Sequence, residues 1–238
     1  MPRDYSKYIN RPGYQVPAGY DQSKFPSQSV TTDVVIFSFF ENSLNVLLVR
    51  RKRMPFQGYW AIPGGFVEPD EDLPESAARE LFEETGLKNI RLFEYGAFGH
   101  PGRDPRTRTI TVCYLALAQK EKIRPIAGDD AEDVRWFPAR KAPELAFDHD
   151  LELKGALERL KELAVLTPAL FDLLPEEFSG SDLSRLCSEI FGKKISRAWL
   201  LAKLKKLRLV RPCGKNRYCF ASKNFRAGSL GFLIAKPK

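Results

Sequence analysis

Residues 65–87 read GFVEPDEDLPESAARELFEETGL. The segment Leu73-Pro74-Glu75 has the chemistry of a helix start. Proline is tolerated in the first turn, and an acidic residue suits the positive end of the helix dipole. Gly86 suits a stop just past the last turn. Between them, at about 100° per residue, Glu80, Glu83 and Glu84 fall within one arc about 100° wide, and Ala77, Ala78, Leu81 and Phe82 fall opposite. One face is thus carboxylate and the other can dock on a sheet. Carboxylates at i, i+3 and i+4 repel one another by a few tenths of a kcal/mol (~0.2–0.5 per pair) on a bare helix. A hard divalent cation reverses that cost, because Mg²⁺ takes oxygen ligands and bridges carboxylates to phosphates. Arg79, four residues before Glu83, can pair with it. A plain solvated acidic face is the competing reading of Glu80, Glu83 and Glu84 taken alone.

The wider spacing decides between them. Gly65, Glu71, Arg79, Glu80, Leu81, Glu83, Glu84, Gly86 and Leu87 meet all nine fixed positions of G-x5-E-x7-R-E-U-x-E-E-x-G-U, with U apolar. The chain therefore resembles the Nudix family, whose members mostly hydrolyse nucleoside diphosphates linked to another moiety. The resemblance implies an α/β/α sandwich around a mixed sheet. It also implies that Glu80, Glu83 and Glu84, joined by the Gly64 carbonyl, hold Mg²⁺ or Mn²⁺, and that they and Arg79 form the catalytic set. The general base in such enzymes is either a box glutamate or an acid from a later loop. Here Asp129, Asp130, Glu132 and Asp133 lie before the strand that contains Trp136, and both options stay open.

The flanks suit that fold. Val30–Phe40 and Leu44–Arg51 are β-branched and apolar, with a turn at Glu41-Asn42-Ser43, and read as a hairpin. A loop over 54–60 leads to a short strand and Pro63-Gly64-Gly65. Ile90–Gly99, Thr107–Ala118 and Val134–Phe137 read as further strands, and Leu151–Leu163 has apolar residues at helical spacing. The expected division is an irregular segment over 1–25 and a Nudix domain over 26–165.

From Leu166-Thr167-Pro168 onward the chain changes character. Ala169–Leu174 reads as a short helix. Ser179-Gly180-Ser181-Asp182 offers cap chemistry for Leu183–Phe191, and Ser196 for Arg197–Leu207. A basic hairpin follows over 209–220. Helix, turn, helix and a two-stranded wing make a winged helix-turn-helix, expected over 166–228 with a tail over 229–238. Residues 168–238 hold 15 Lys and Arg against 5 Asp and Glu, a net +10, whereas residues 1–167 hold 23 against 25, a net −2. Such asymmetry suits a polyanionic partner, double-stranded DNA. Arg197, at the start of the second helix, is placed for base contacts. Lys193, Lys194, Lys203, Lys215 and Arg217 are placed for phosphates. A winged helix used only for dimerisation or protein contact is the alternative.

The whole chain is 238 residues, 43% hydrophobic and 29% charged, with no run of 18 apolar residues to span a membrane and no apolar leader segment. Its four cysteines show no C-x2-C pairing. Cys213 and Cys219 can face each other across a hairpin, but neither zinc nor a disulfide is expected, and the cytoplasm is the expected compartment.

A Nudix domain followed by a winged helix resembles the Nudix-related transcriptional regulators of NAD metabolism and sugar use. Gly99–Arg108 and Leu145-Ala146-Phe147-Asp148-His149 are similar to segments of that group and of ADP-ribose pyrophosphatases. The resemblance implies a homodimer that senses ADP-ribose or a related ligand, with no membrane partner. Many such regulators carry an eroded box, and this chain keeps every position. The expectation is thus a Mg²⁺-dependent pyrophosphohydrolase joined to a DNA-binding module, with a non-catalytic repressor as the alternative. For the ligand, Arg51, Arg103, Arg106 and Arg108 offer planar forks to phosphate oxygens, and Phe56 offers a ring for the base. Arg103, Arg106 and Arg108 can equally contact Asp104, Asp129 or Asp130, or line a dimer interface, and Phe56, Tyr59, Trp60 and Phe98 can equally be core.

Overall fold

The fold is that of a computed structural model, which describes residue 18 and residues 21–24, 27–128, 131–221 and 224–233. Most of the expected irregular segment over 1–25, the candidate acids Asp129 and Asp130, and residues 234–238 of the expected tail lie outside the described residues.

Strand β1 (Ser29–Phe40) organises the sheet. It pairs antiparallel with β2 (Ser43–Arg51) and parallel with β6 (Thr109–Leu117). β2 continues to β3 (Trp60–Ala61) and to β7 (Ala131–Pro138), and β6 continues to β5 (Leu92–Phe98). The short β4 (Gly64–Phe66) crosses onto the first half of β1, with Asp33 opposite Gly64. The result is a mixed seven-stranded sheet.

Alternation along β1 buries both faces. Val34 and Ile36, with Leu47 and Tyr114, pack under α1 (Leu73–Thr85) through Ala77 and Leu81. Val35 and Phe37, with Val46, Leu48 and Leu115, face α2 (His149–Leu166). The α/β/α sandwich follows from that period of two.

The second unit is continuous with this core. Thr167 ends α2 and caps the 3-10 turn Pro168–Leu173, its hydroxyl bonding Leu163 O at 2.8 Å and receiving the Ala169 amide at 3.2 Å. Leu170, Leu173 and Leu174 then join the cluster that holds Val35 and Phe37, which also takes in α3 (Gly180–Phe191) and α4 (Arg197–Lys206). The junction near residue 166 is thus a packed corner, because its residues are apolar. Ser179 and Asp182 form a capping box on α3, and Ser196 caps α4.

Three features depart from expectation. A third strand, β8 (Glu177–Ser179), pairs with β10 (Arg217–Phe220), which pairs with β9 (Val210–Gly214). The first part of the expected tail folds back, with Leu230 and Leu233 buried in the shared core. Cys213 and Cys219, expected to face each other without bonding, are disulfide-bonded with Cα atoms 5.9 Å apart. A register shift at Arg217/Tyr218 sets Tyr218 against Pro212 and Arg217 against Gly214, leaving Cys213 as the extra residue beside Cys219.

Candidate metal and phosphate site

The carboxylate helix α1 is fixed at both ends. Asp72 caps it in a capping box with Glu75, and Gly86 closes it at φ 71°, left-handed backbone that glycine adopts without strain. The buried pair Thr32 Oγ1 and Ser76 Oγ, 3.1 Å apart, ties the helix to β1. Its apolar face is therefore locked down and its acidic face turns toward β4.

Arg79 organises that acidic face more widely than sequence suggested. The expected partner Glu83 is 3.1 Å away, but one edge of the guanidinium, Nε and Nη2, grips both oxygens of Glu71 at 3.0 and 2.6 Å. Further donors reach Glu80 at 2.8 Å and the Phe66 carbonyl at 2.9 Å. The hydrogen bonds from Arg79 pull the Glu71 carboxyl down to about 2. Glu71 thereby acts as an anchor for the arginine, because the chain before α1 folds back over it.

Behind Arg79 lies a crowded set of acids. The Gly64 amide donates to Glu84 Oε2 at 3.0 Å, yet burial pushes the Glu84 carboxyl up to about 8. Burial raises Glu80 as well, and lifts Asp33 to about 6 against the pull of a 2.5 Å hydrogen bond from Thr111. β4 approaches so closely that a Cβ on Gly65 would collide with the Glu80 carboxylate, and one on Gly64 with Thr32 O and Asp33. An all-oxygen set of like charges held out of water in this way fits a divalent cation, which would relieve both the burial and the repulsion. Glu83, with its side chain 54% exposed, stands at the solvent side of the set.

Asp33, Gly64, Gly65, Arg79, Glu80 and Glu84 line a cavity of about 490 Å³, and Glu83 is not among its lining residues. Arg51, Arg103 and Arg106 line it, so three of the four expected arginines converge. Arg103 is buried on a two-pronged pair with Asp148 (2.7 and 3.1 Å) and on Glu152 (2.5 Å). Arg106 pairs with Asp104 and stays half exposed. Arg108 is not among the lining residues and instead bonds the Thr109 carbonyl at 3.1 Å. Phe56 is not among the lining residues and packs on Phe147 with ring centroids 4.8 Å apart, while Phe147 lines the cavity with Arg51 4.8 Å over its ring. Sequence reasoning gave no role to Lys52 or Arg53, nor to Phe147 and His149 within the segment 145–149, and all four line the cavity. The first two continue a basic run from Arg50, which was the available signal.

The second unit presents the other surface. Arg197 is exposed at the start of α4, its Nη1 3.4 Å from Ser181 Oγ. Lys194, Lys203, Lys215 and Arg217 are exposed and Lys193 half-buried. Lys205 and Lys206 are exposed too and were missed, and Lys205 Nζ lies 5.0 Å over the Tyr218 ring, joining α4 to the wing. The two units also meet at Arg140, just beyond β7. Its guanidinium donates to Glu189 O at 2.8 and 3.1 Å and to Ile190 O at 3.3 Å, at the C-terminal end of α3. No helix of the described residues is long and apolar enough to cross a membrane.

Comparison with known proteins agrees with this geometry. The family model described as NUDIX domain matches residues 29–160. A protein of Acinetobacter baylyi named ADPR responsive transcriptional repressor NtrR is 34% identical over 188 residues, covering 76% of this chain and 73% of its own. An ADP-ribose pyrophosphatase of Methanocaldococcus jannaschii is 37% identical over 121 residues, 51% of this chain and 70% of its own. Shewanella oneidensis NrtR, solved in complex with a 27mer DNA, superposes with a TM-score of 0.67 at 30% identity, covering 82% of this chain and 94% of its own.

Proposed function

The chain belongs to the Nudix family, and from that premise we propose that it hydrolyses the diphosphate of ADP-ribose or a close nucleoside diphosphate derivative and regulates transcription through its winged helix. The observation that carries the reading is the desolvated set of Glu80 and Glu84, facing a cavity walled by Arg51, Arg103 and Arg106. Acids alone suit a cation, arginines alone suit a phosphate, and a diphosphate hydrolase needs both facing one cavity.

Nudix hydrolases use a divalent metal, and here Glu80, Glu83 and Glu84, with the Gly64 carbonyl, would hold Mg²⁺ or Mn²⁺. Bound there, the ion supplies charge neutralisation on the diphosphate and activation of the attacking water. The residues of the chain do the rest. Arg79 holds Glu80 and Glu83 in place. Arg51 and Arg106 take the ligand's phosphate oxygens, and Arg103, braced by Asp148 and Glu152, fixes the wall behind them. Phe147, with Arg51 over its ring at 4.8 Å and His149 stacked on it, holds both side chains in place on the cavity wall. The Ile62, Val49 and Ala61 side of the cavity limits water. Water adds to one phosphorus, the bridging P–O bond breaks, and AMP and a sugar phosphate leave.

On the second unit, Arg197 reads bases in the major groove, while Lys193, Lys194, Lys203, Lys215 and Arg217 hold phosphates. A homodimer would place two such helices on a two-fold operator. Its work is with DNA and a nucleotide, in the cytoplasm, and the domain limits proposed are 26–165 and 166–228. A silent ADP-ribose-sensing repressor is the rival, and product formation separates the two. Incubated with ADP-ribose and Mg²⁺, the protein should release AMP, and a panel of nucleoside diphosphate derivatives with no product would leave only the repressor.

A further inference from the structure

His149 opens α2, and its ring is 5% exposed on the wall of the cavity. Its Nδ1 accepts the backbone amide of Ile62 at 2.9 Å, a bond that joins the approach to β4 to a helix 87 residues further on. A nitrogen that accepts a hydrogen bond carries no proton. The neutral ring therefore keeps its proton on Nε2. Nε2 has no hydrogen-bond partner among the described residues and is not a sealed buried atom. The ring stacks on Phe147 with centroids 5.3 Å apart and planes 29° apart, which holds its direction. Burial, with Arg103 and Arg51 nearby, pushes the imidazole down to about 3, so it stays neutral at ordinary pH.

A neutral donor, fixed in tautomer and angle beside two guanidinium groups, is built to meet an anionic oxygen without adding charge. We infer that His149 Nε2–H is a binding contact to the nucleoside diphosphate derivative, donating to an oxygen of its diphosphate. The inference rests on the reading of the cavity given above.

Two substitutions divide the ring's two functions. In His149→Asn the amide oxygen replaces Nδ1 and keeps the Ile62 bond, while the distal donor is lost. In His149→Gln the amide nitrogen replaces Nε2, while the Ile62 acceptor is lost. ADP-ribose binding to the full chain, measured by calorimetry in EDTA so that nothing is hydrolysed, should weaken about tenfold in His149→Asn at a near wild-type melting temperature. His149→Gln should melt earlier yet bind more tightly than His149→Asn. Because the chain has two histidines, ¹⁵N-histidine labelling resolves the ring directly. The wild-type spectrum should show His149 protonated at Nε2, with that proton shifting on addition of ADP-ribose. Wild-type affinity in His149→Asn, or a proton on Nδ1, overturns the contact and leaves the cavity's function intact. Wild-type protein that binds no nucleoside diphosphate derivative overturns both.

Discussion

Gly65 lies directly against Glu80, so close that the glycine's missing side chain is the space the carboxylate occupies. The relationship ties the first fixed residue of the 65–87 segment to one of its acids across 15 positions of chain. It explains why the segment needs a glycine where the backbone is neither a turn nor left-handed.

Gly65→Ala should therefore displace Glu80 while leaving the sheet and α1 intact. Steady-state hydrolysis of ADP-ribose should fall by about 100-fold or more in kcat/KM, since it moves a metal-organising carboxylate. Far-ultraviolet circular dichroism should match wild type. Full activity in the alanine variant would show that the close approach is dispensable.

Glu71→Gln should free Arg79 from its strongest partner. The grip is two-pronged and charge-assisted, so the variant should lose activity through misplacement of Glu80 and Glu83. Stability gives an independent readout. Because Arg79 holds the Glu71 carboxyl below its unfolded value, near about 2, the pair's contribution is complete above the unfolded pKa of about 4.3 and is lost as pH falls toward 2. Urea midpoints should fall more steeply for wild type than for Glu71→Gln between those limits.

His149 contributes with the same sense for a different reason. It stays neutral in the fold down to about 3, while the unfolded chain takes up a proton near about 6.5. The unfolded state binds more protons between those values, so stability drops as pH falls from 6.5 toward 3. His149→Asn cannot titrate and should flatten this part of the pH–stability curve, measured by urea unfolding at half-unit steps.

Much of this was legible locally. The period of α1, its caps and the alternation in β1 are properties of neighbouring residues, so helix, strands and both faces could be read from the chain. The winged helix was legible for the same reason, through the Ser179 and Ser196 caps. What escaped depended on residues far apart. Arg103 looked like a phosphate ligand until Asp148 and Glu152, 45 and 49 positions away, came to meet it. Arg108 lies two residues from Arg106 in sequence, but its guanidinium is taken up by the Thr109 carbonyl and it is not among the cavity's lining residues. The Cys213–Cys219 bond depended on a one-residue bulge, and β8 is three residues long and recognisable only through its pairing with β10. His149 was visible as part of LAFDH, but its role needs the Ile62 amide.

Arg140→Ala should separate the two units functionally. It removes three hydrogen bonds from the end of β7 to the carbonyls closing α3. Affinity for ADP-ribose and for DNA, each measured alone, should change little. The effect of one ligand on the other should shrink, because coupling is a free energy carried by such contacts and is reciprocal. Fluorescence anisotropy of labelled operator, with and without ADP-ribose, reads this directly.

Lys203→Ala should weaken binding to all DNA sequences alike and reduce the slope of log affinity against log salt by about 0.9. Arg197→Ala should instead narrow the gap between operator and random DNA. The same is expected of Lys206→Ala as of Lys203→Ala, since Lys206 is exposed on α4.

One ligand is then both signal and substrate. The direct measurement follows DNA binding and AMP release in one tube, with Mg²⁺, ADP-ribose and labelled DNA from upstream of the protein's own gene. ADP-ribose should change the fraction of DNA bound, the fraction should return to its starting value as AMP accumulates, and Glu83→Gln should hold the changed state without releasing AMP. DNA binding indifferent to ADP-ribose, with no AMP formed, would contradict it.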